Sequence, residues 1–121
     1  MYHLSPCIGL LEVVRYSNRV EFPYGIISFK HYGRIACVVS MLSVTTFDRQ
    51  GDAYKRAVLL PRKPRVAVEM ASTAAWWKYG VSAVIGIDAF GESAPAPVLF
   101  RHFGFTPENV AAQALAVLKK R

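Results

Sequence analysis

From residue 35 onward, short runs of β-branched residues alternate with stretches of helical period, the pattern of βα units feeding a mainly parallel sheet. Ile35-Ala36-Cys37-Val38-Val39 is an apolar run of strand length, which suits a strand buried on both faces. After it the spacing predicts one helix. Phe47, Tyr54, Ala57 and Val58 fall near one face, and Asp48, Arg49, Lys55 and Arg56 fall mostly on the others. Gly51 weakens that helix by about 1 kcal/mol relative to Ala, and Pro61 and Pro64 close it, since proline cannot continue the hydrogen-bond ladder. Arg65-Val66-Ala67-Val68-Glu69 predicts a second strand. A small-residue turn and the aromatic stretch Trp76-Trp77-Lys78-Tyr79-Gly80 follow, and Val81 to Ile87 predicts a third strand.

Phe90-Gly91-Glu92-Ser93-Ala94-Pro95 reads as a loop, and Pro97 to Phe103 as a short helix ending at Gly104, which tolerates the left-handed cap conformation. The last helix has the clearest signals. Thr106 supplies a capping hydroxyl, Pro107 suits the first helical position, and Glu108 and the basic run Lys119-Lys120-Arg121 sit at the ends that the helix dipole favours. Val110, Ala114, Val117 and Leu118 form its apolar face. Residues 1–34 differ in character: Pro6, Gly9, Pro23, Gly25 and Gly33 interrupt the pattern, leaving Ile8 to Val14 and Ile26 to Phe29 as two candidate short strands.

With 121 residues the chain suffices for one core, and its longest apolar stretches are far short of the roughly 20 residues a membrane span requires. Met1 to Leu11 has no early Lys or Arg and no small-residue cleavage site, so no secretion signal is expected and the cytoplasm is the expected location. Cys7 and Cys37 match no metal or redox spacing and read as small apolar residues. The net charge of +7 raises the question of nucleic acid. Only Arg62-Lys63-Arg65 and Lys119-Lys120-Arg121 are dense in charge, however, and neither is interleaved with aromatics, so solvated surface charge is expected.

Two sets of residues go beyond pattern. Val39-Ser40-Met41-Leu42-Ser43, Phe47-Asp48-Arg49-Gln50, Tyr54, Arg65-Val66-Ala67-Val68-Glu69 and Trp76-Trp77-Lys78-Tyr79 form the first. Ile85-Gly86, Phe90-Gly91-Glu92-Ser93-Ala94-Pro95, Phe103-Gly104-Phe105-Thr106 and Asn109-Val110 form the second. In order and spacing both resemble the C-terminal domain of the transketolase family, over about residues 35–121. The resemblance implies an α/β fold: a three-layer α/β/α domain with a mixed, mostly parallel sheet. It also implies a loss. The family's domain opens with a strand, a Gly-Ser-Glu turn and a long helix, and nothing in residues 1–34 resembles them, so the expected organisation is an unmatched segment 1–34, from a frameshift or truncation, joined to a domain 35–121 lacking its first strand and helix. Leu42 stands where the family commonly has proline.

Transketolases are transferases of the pentose phosphate pathway that move a two-carbon ketol unit between sugar phosphates, using thiamine diphosphate held by Mg²⁺. The resemblance places that cofactor site between the two earlier domains, across a dimer interface. Gly51-Asp52-Ala53 matches only the first two letters of the Gly-Asp-Gly motif that serves it and sits in a helical pattern. No catalytic, cofactor-binding or metal residue is therefore carried onto this chain. His102 has no carboxylate or nucleophile tied to it by a known motif, and His3 and His31 lie in the unmatched segment. Ser93 has Pro95 where a nucleophile elbow needs Gly, and Asp88 and Glu92 read as loop carboxylates. Trp76 and Trp77 are adjacent, so at most one lines a pocket while the other packs inward. The expected function is a C-terminal domain fragment with a structural and subunit-contact role, not catalytic alone. Its expected partners are other transketolase domains or a second, homodimeric subunit, with neither nucleic acid nor membrane. The alternative is a free-standing interaction module that binds a protein partner.

Overall fold

The computed structural model describes the backbone of residues 9–14, 26–29 and 34–119, and side chains from residue 39 onward. Cys7, His3, His31, Lys120 and Arg121 lie outside the described residues, as does the side chain of Cys37.

The strands are β1 (Gly9–Val14), β2 (Ile26–Phe29), β3 (Arg34–Ser40), β4 (Arg65–Val68) and β5 (Ala83–Ile85), joined in one sheet of order β2-β3-β1-β4-β5. The helices are α1 (Val44–Asp48), α2 (Asp52–Val58), α3 (Ala96–His102) and α4 (Pro107–Lys119), and the aromatic stretch forms a 3₁₀ segment, Thr73–Tyr79. Side chains on successive strand residues point to opposite faces, and β4 uses that alternation to build both halves of the core. Val66 and Val68, with Ala83 and Ile85 of β5, face Val110, Ala114, Val117 and Leu118 of α4. Ala67 and Val84 face the other way, into a cluster with Val39, Met41, Phe47, Leu59, Trp76, Tyr79 and Val81. Helical layers thus lie on both faces of the sheet, and the expected three-layer α/β/α arrangement is found.

The pairing differs from the expectation of a mostly parallel sheet. β3, β4 and β5 do run in one direction, as βα units require, but only β4 and β5 are hydrogen-bonded in parallel. β1 lies antiparallel between β3 and β4, and β2 lies antiparallel on the outer side of β3. The cause is the N-terminal segment, whose two candidate strands both form and whose first inserts into the middle of the sheet. The gap expected from a missing opening strand is thereby filled.

A second difference concerns the helix after β3, which is two short helices. Ser43 caps the first, its Oγ accepting from the Thr46 N–H at 3.2 Å. Gly51 then adopts an extended conformation as the N-cap of α2, so the chain turns where one continuous helix was expected. The predicted third strand shrinks to Ala83–Ile85. At the far end, Thr106 Oγ1 accepts from the Asn109 N–H at 3.2 Å, and Gly104, at φ 79°, occupies the left-handed conformation after α3, as its position predicted.

Arg65 braces the start of β4. Its guanidinium donates to the Tyr79 carbonyl at 2.9 Å and to the Leu60 carbonyl at 2.5 Å, tying the end of the 3₁₀ segment and the loop before β4 to the same strand. Arg65, expected from its cluster to be solvated surface charge, is therefore a structural clamp.

Two outcomes follow from β1 and β4. Val66 is fully buried, so Val66→Ala is expected to destabilise by about 2 kcal/mol, read as a lower urea midpoint at unchanged slope. Leu11 pairs with Val38 on one side and Val66 on the other. Proline there cannot donate to the ladder, so Leu11→Pro should abolish the cooperative melt and produce oligomers in size-exclusion chromatography through the unpaired edges of β3 and β4.

Candidate functional site

Because β3, β4 and β5 point the same way, their carboxyl ends share one edge of the sheet, the place where open α/β sheets bind ligands. Three connections meet there: residues 41–43 after β3, residues 69–72 after β4, and residues 86–95 after β5. The last two are locked together by Asp88. Its carboxylate accepts from the Thr73 N–H at 2.8 Å, Thr73 Oγ1 at 2.6 Å and Ser72 Oγ at 3.2 Å. Those donors, Thr73 first, stabilise the ionised form and hold the Asp88 carboxyl below its usual range although it is exposed. Gly86 completes the lock. A Cβ at that position would lie 2.8 Å from both the Ala71 carbonyl oxygen and the Thr73 Cγ2, so only glycine lets the two connections approach this closely.

Glu69 stands at the same edge, directly after β4. Its backbone N–H donates to the Ile85 carbonyl at 3.0 Å, but its Oε2 is buried without a hydrogen-bond partner. Burial disfavours the ionised form and raises the carboxyl above its usual range. On the face that carries α1 and the 3₁₀ segment, Asp48 accepts from Lys78 Nζ at 2.5 Å and from Tyr79 Oη at 2.8 Å, bridging the two elements. The Lys78 bond is the largest cause of the lowered Asp48 carboxyl, and the Tyr79 bond adds to it. The Tyr79 ring lies edge-on to Phe47 at 5.7 Å and tilted to Trp76 at 5.8 Å. A shallow groove of about 150 Å³ runs beside this cluster, lined by residues such as Met41, Ser43, Phe47 and Tyr54.

The sequence-derived candidates do not converge. Ser93 and Glu92 are exposed in the loop before α3, and His102, exposed at the end of α3, has its ring edge-on to Phe103 at 4.8 Å. Trp76 is buried at 3% exposure while Trp77 is 52% exposed, the split that adjacency demands. Gly51, Asp52 and Ala53 form the cap and first turn of α2. Among the described residues, no group of three or more His, Cys, Asp or Glu side chains stands together to hold a metal ion. The Asp88 lock, the orphaned Glu69 oxygen and the Asp48 bridge were not foreseen. Each joins residues 15 to 31 positions apart or depends on burial, and only the Gly86 and Asp88 pair so soon after a strand hinted at a tight connection.

The comparisons with known proteins agree on one family. Residues 27–106 match a family model described as the transketolase-like TK C-terminal domain. Transketolase 1 of Escherichia coli K12 is 40% identical over 124 residues, which cover 97% of this chain and 19% of that protein. The chromosomal transketolase of Cupriavidus necator is 48% identical over 92 residues, 73% of this chain and 13% of its own length. The Aquifex aeolicus transketolase is 47% identical over 81 residues, 64% and 12% respectively. The chain thus spans about a fifth or less of the length of these curated relatives, and the similarity extends upstream of Ile35, where no family motif was legible.

The two edge carboxyls set opposite pH dependences. Asp88, lowered, contributes stability that is present above its unfolded pKa and lost as pH falls through the folded value. Glu69, raised, contributes stability that is present below its unfolded pKa of about 4.3 and lost as pH rises through the folded value. Glu69→Gln removes the buried charge, so it is expected to raise the thermal midpoint at neutral pH, with the gain closing toward zero as pH drops below about 4.3. A midpoint difference that is constant with pH would show that ionisation of Glu69 is not the cause.

Proposed function

The chain belongs to the transketolase family, and from that premise we propose that it serves as the C-terminal domain of a transketolase, with a structural and subunit-contact role. The observation that carries this reading is the match of residues 27–106 to the family's C-terminal domain. In the whole enzyme the activity is transfer of a two-carbon ketol unit between sugar phosphates, in the cytoplasmic pentose phosphate pathway, by a dimer. Thiamine diphosphate with Mg²⁺ supplies the carbanion chemistry there. In this proposal its pocket belongs to the parts of the enzyme outside this domain, as the family resemblance implies.

What the chain's own residues do in this proposal is mechanical. β4 carries a core on each face, Arg65 holds its entry, and Asp88 with Gly86 holds the connections at its exit. No helix among the described residues is long and apolar enough to cross a membrane.

The test is calorimetric titration of the purified chain with thiamine diphosphate and Mg²⁺, paired with a ketol-transfer assay on the same sample. No heat and no turnover are expected. Saturable heat with turnover would overturn the assignment of a purely supporting role.

A further inference from the structure

The carboxyl edge of the sheet carries, on each of its three connections, one large apolar side chain that the domain does not cover. Leu42 after β3 is 79% exposed, Met70 after β4 is 48% exposed, and Phe90 after β5 is 95% exposed. Single exposed apolar residues are ordinary, whereas several on one edge mark an interaction surface. The three sit on connections that are fixed from within. Leu42 immediately precedes the Ser43 cap of α1, and Met70 and Phe90 flank the Asp88 lock and the tight contact of Gly86 with Ala71. A fixed backbone that presents uncovered apolar side chains is preorganised for docking, since little further order is lost when a partner arrives.

Resting on the transketolase reading above, we infer that this edge, with Leu42, Met70 and Phe90 as its anchors, is the face on which the preceding part of a transketolase docks. The choice of occupant comes from length. E. coli Transketolase 1, which aligns with 97% of this chain, has only 19% of its length in that alignment, so most of such an enzyme lies outside this domain and must meet it over some surface. Over β4 and β5 both faces of the sheet are already occupied, through the aromatic cluster on one side and α4 on the other. The carboxyl edge has no such internal cover over its three apolar side chains. The exposed aromatics elsewhere compete less well: Tyr54 leans on Phe47 at 6.4 Å, and Trp77 adjoins the buried Trp76.

The experiment uses the full chain and, as probe, E. coli Transketolase 1 lacking the segment that aligns with it, checked for a cooperative melt of its own. Binding is measured by sedimentation velocity for the unaltered chain, for the triple variant Leu42→Ser, Met70→Ser, Phe90→Ser, and for a control variant Tyr54→Ser, Trp77→Ser. Leu42 and Phe90 are largely exposed and Met70, Tyr54 and Trp77 about half exposed, so both variants should keep a cooperative melt. The expected result is a complex with the unaltered chain and the control, and affinity weaker by roughly tenfold or more in the triple variant. Equal binding by the triple variant, or a larger loss in the control, would overturn the assigned face and leave the transketolase reading standing. No complex with the unaltered chain would overturn the reading itself and the face with it, as would self-association of the chain that the triple substitution abolishes.

Discussion

The burial of β4 on both faces is the constraint on which the rest of the domain depends. A strand with core on only one side needs one helical layer; a strand carrying Val66 at 0% exposure on one face and Ala67 at 0% on the other requires two. Each buried valine-sized side chain contributes about 1.5–3 kcal/mol, and here the two halves of the core are one residue apart. The smallness of Ala67 has a consequence of its own, because it leaves room for the ring cluster of Phe47, Trp76 and Tyr79 to pack on the sheet. Volume removed from the strand is refilled by aromatic rings from two connections.

With both faces closed, the free ends of β4 become the places where other parts of the chain attach. At the entry, Arg65 reaches two carbonyls that belong to different loops. At the exit, Asp88 collects three donors from Ser72, which caps the 3₁₀ segment, and Thr73, its first residue, and Gly86 permits the approach. These polar contacts are exposed or half-buried, so they contribute little to global stability compared with the core. Their effect is local: they decide where the connections at the carboxyl edge sit. Three of the domain's charged side chains, Asp48, Arg65 and Asp88, tie separate elements together.

Much of the fold could be read from local sequence. The apolar run around Val38 and Val39, the alternation in Arg65 to Val68, and the cap, proline and apolar face of the last helix all correspond to elements within a residue or two of their expected bounds. The two candidate strands amid the prolines and glycines of residues 1–34 also form. The readings that changed are those in which a local signal was outvoted. Gly51, entered as a weak point in one helix, became the break between two. Val81 and Ile87 left the predicted strand because β5 is an edge with a single neighbour, β4, and only three of its residues pair.

The sequence by itself determined the class of the domain, the identity of its core strands and its family, because periodicity, caps and motif spacing are properties of near neighbours along the chain. Only the tertiary structure decided that β1 enters the middle of the sheet antiparallel, that Glu69 ends with a buried oxygen lacking a partner, and that Leu42, Met70 and Phe90 come to share one edge. Strand order and shared edges are fixed by which distant segments exclude water from each other, and that competition is settled among all segments at once.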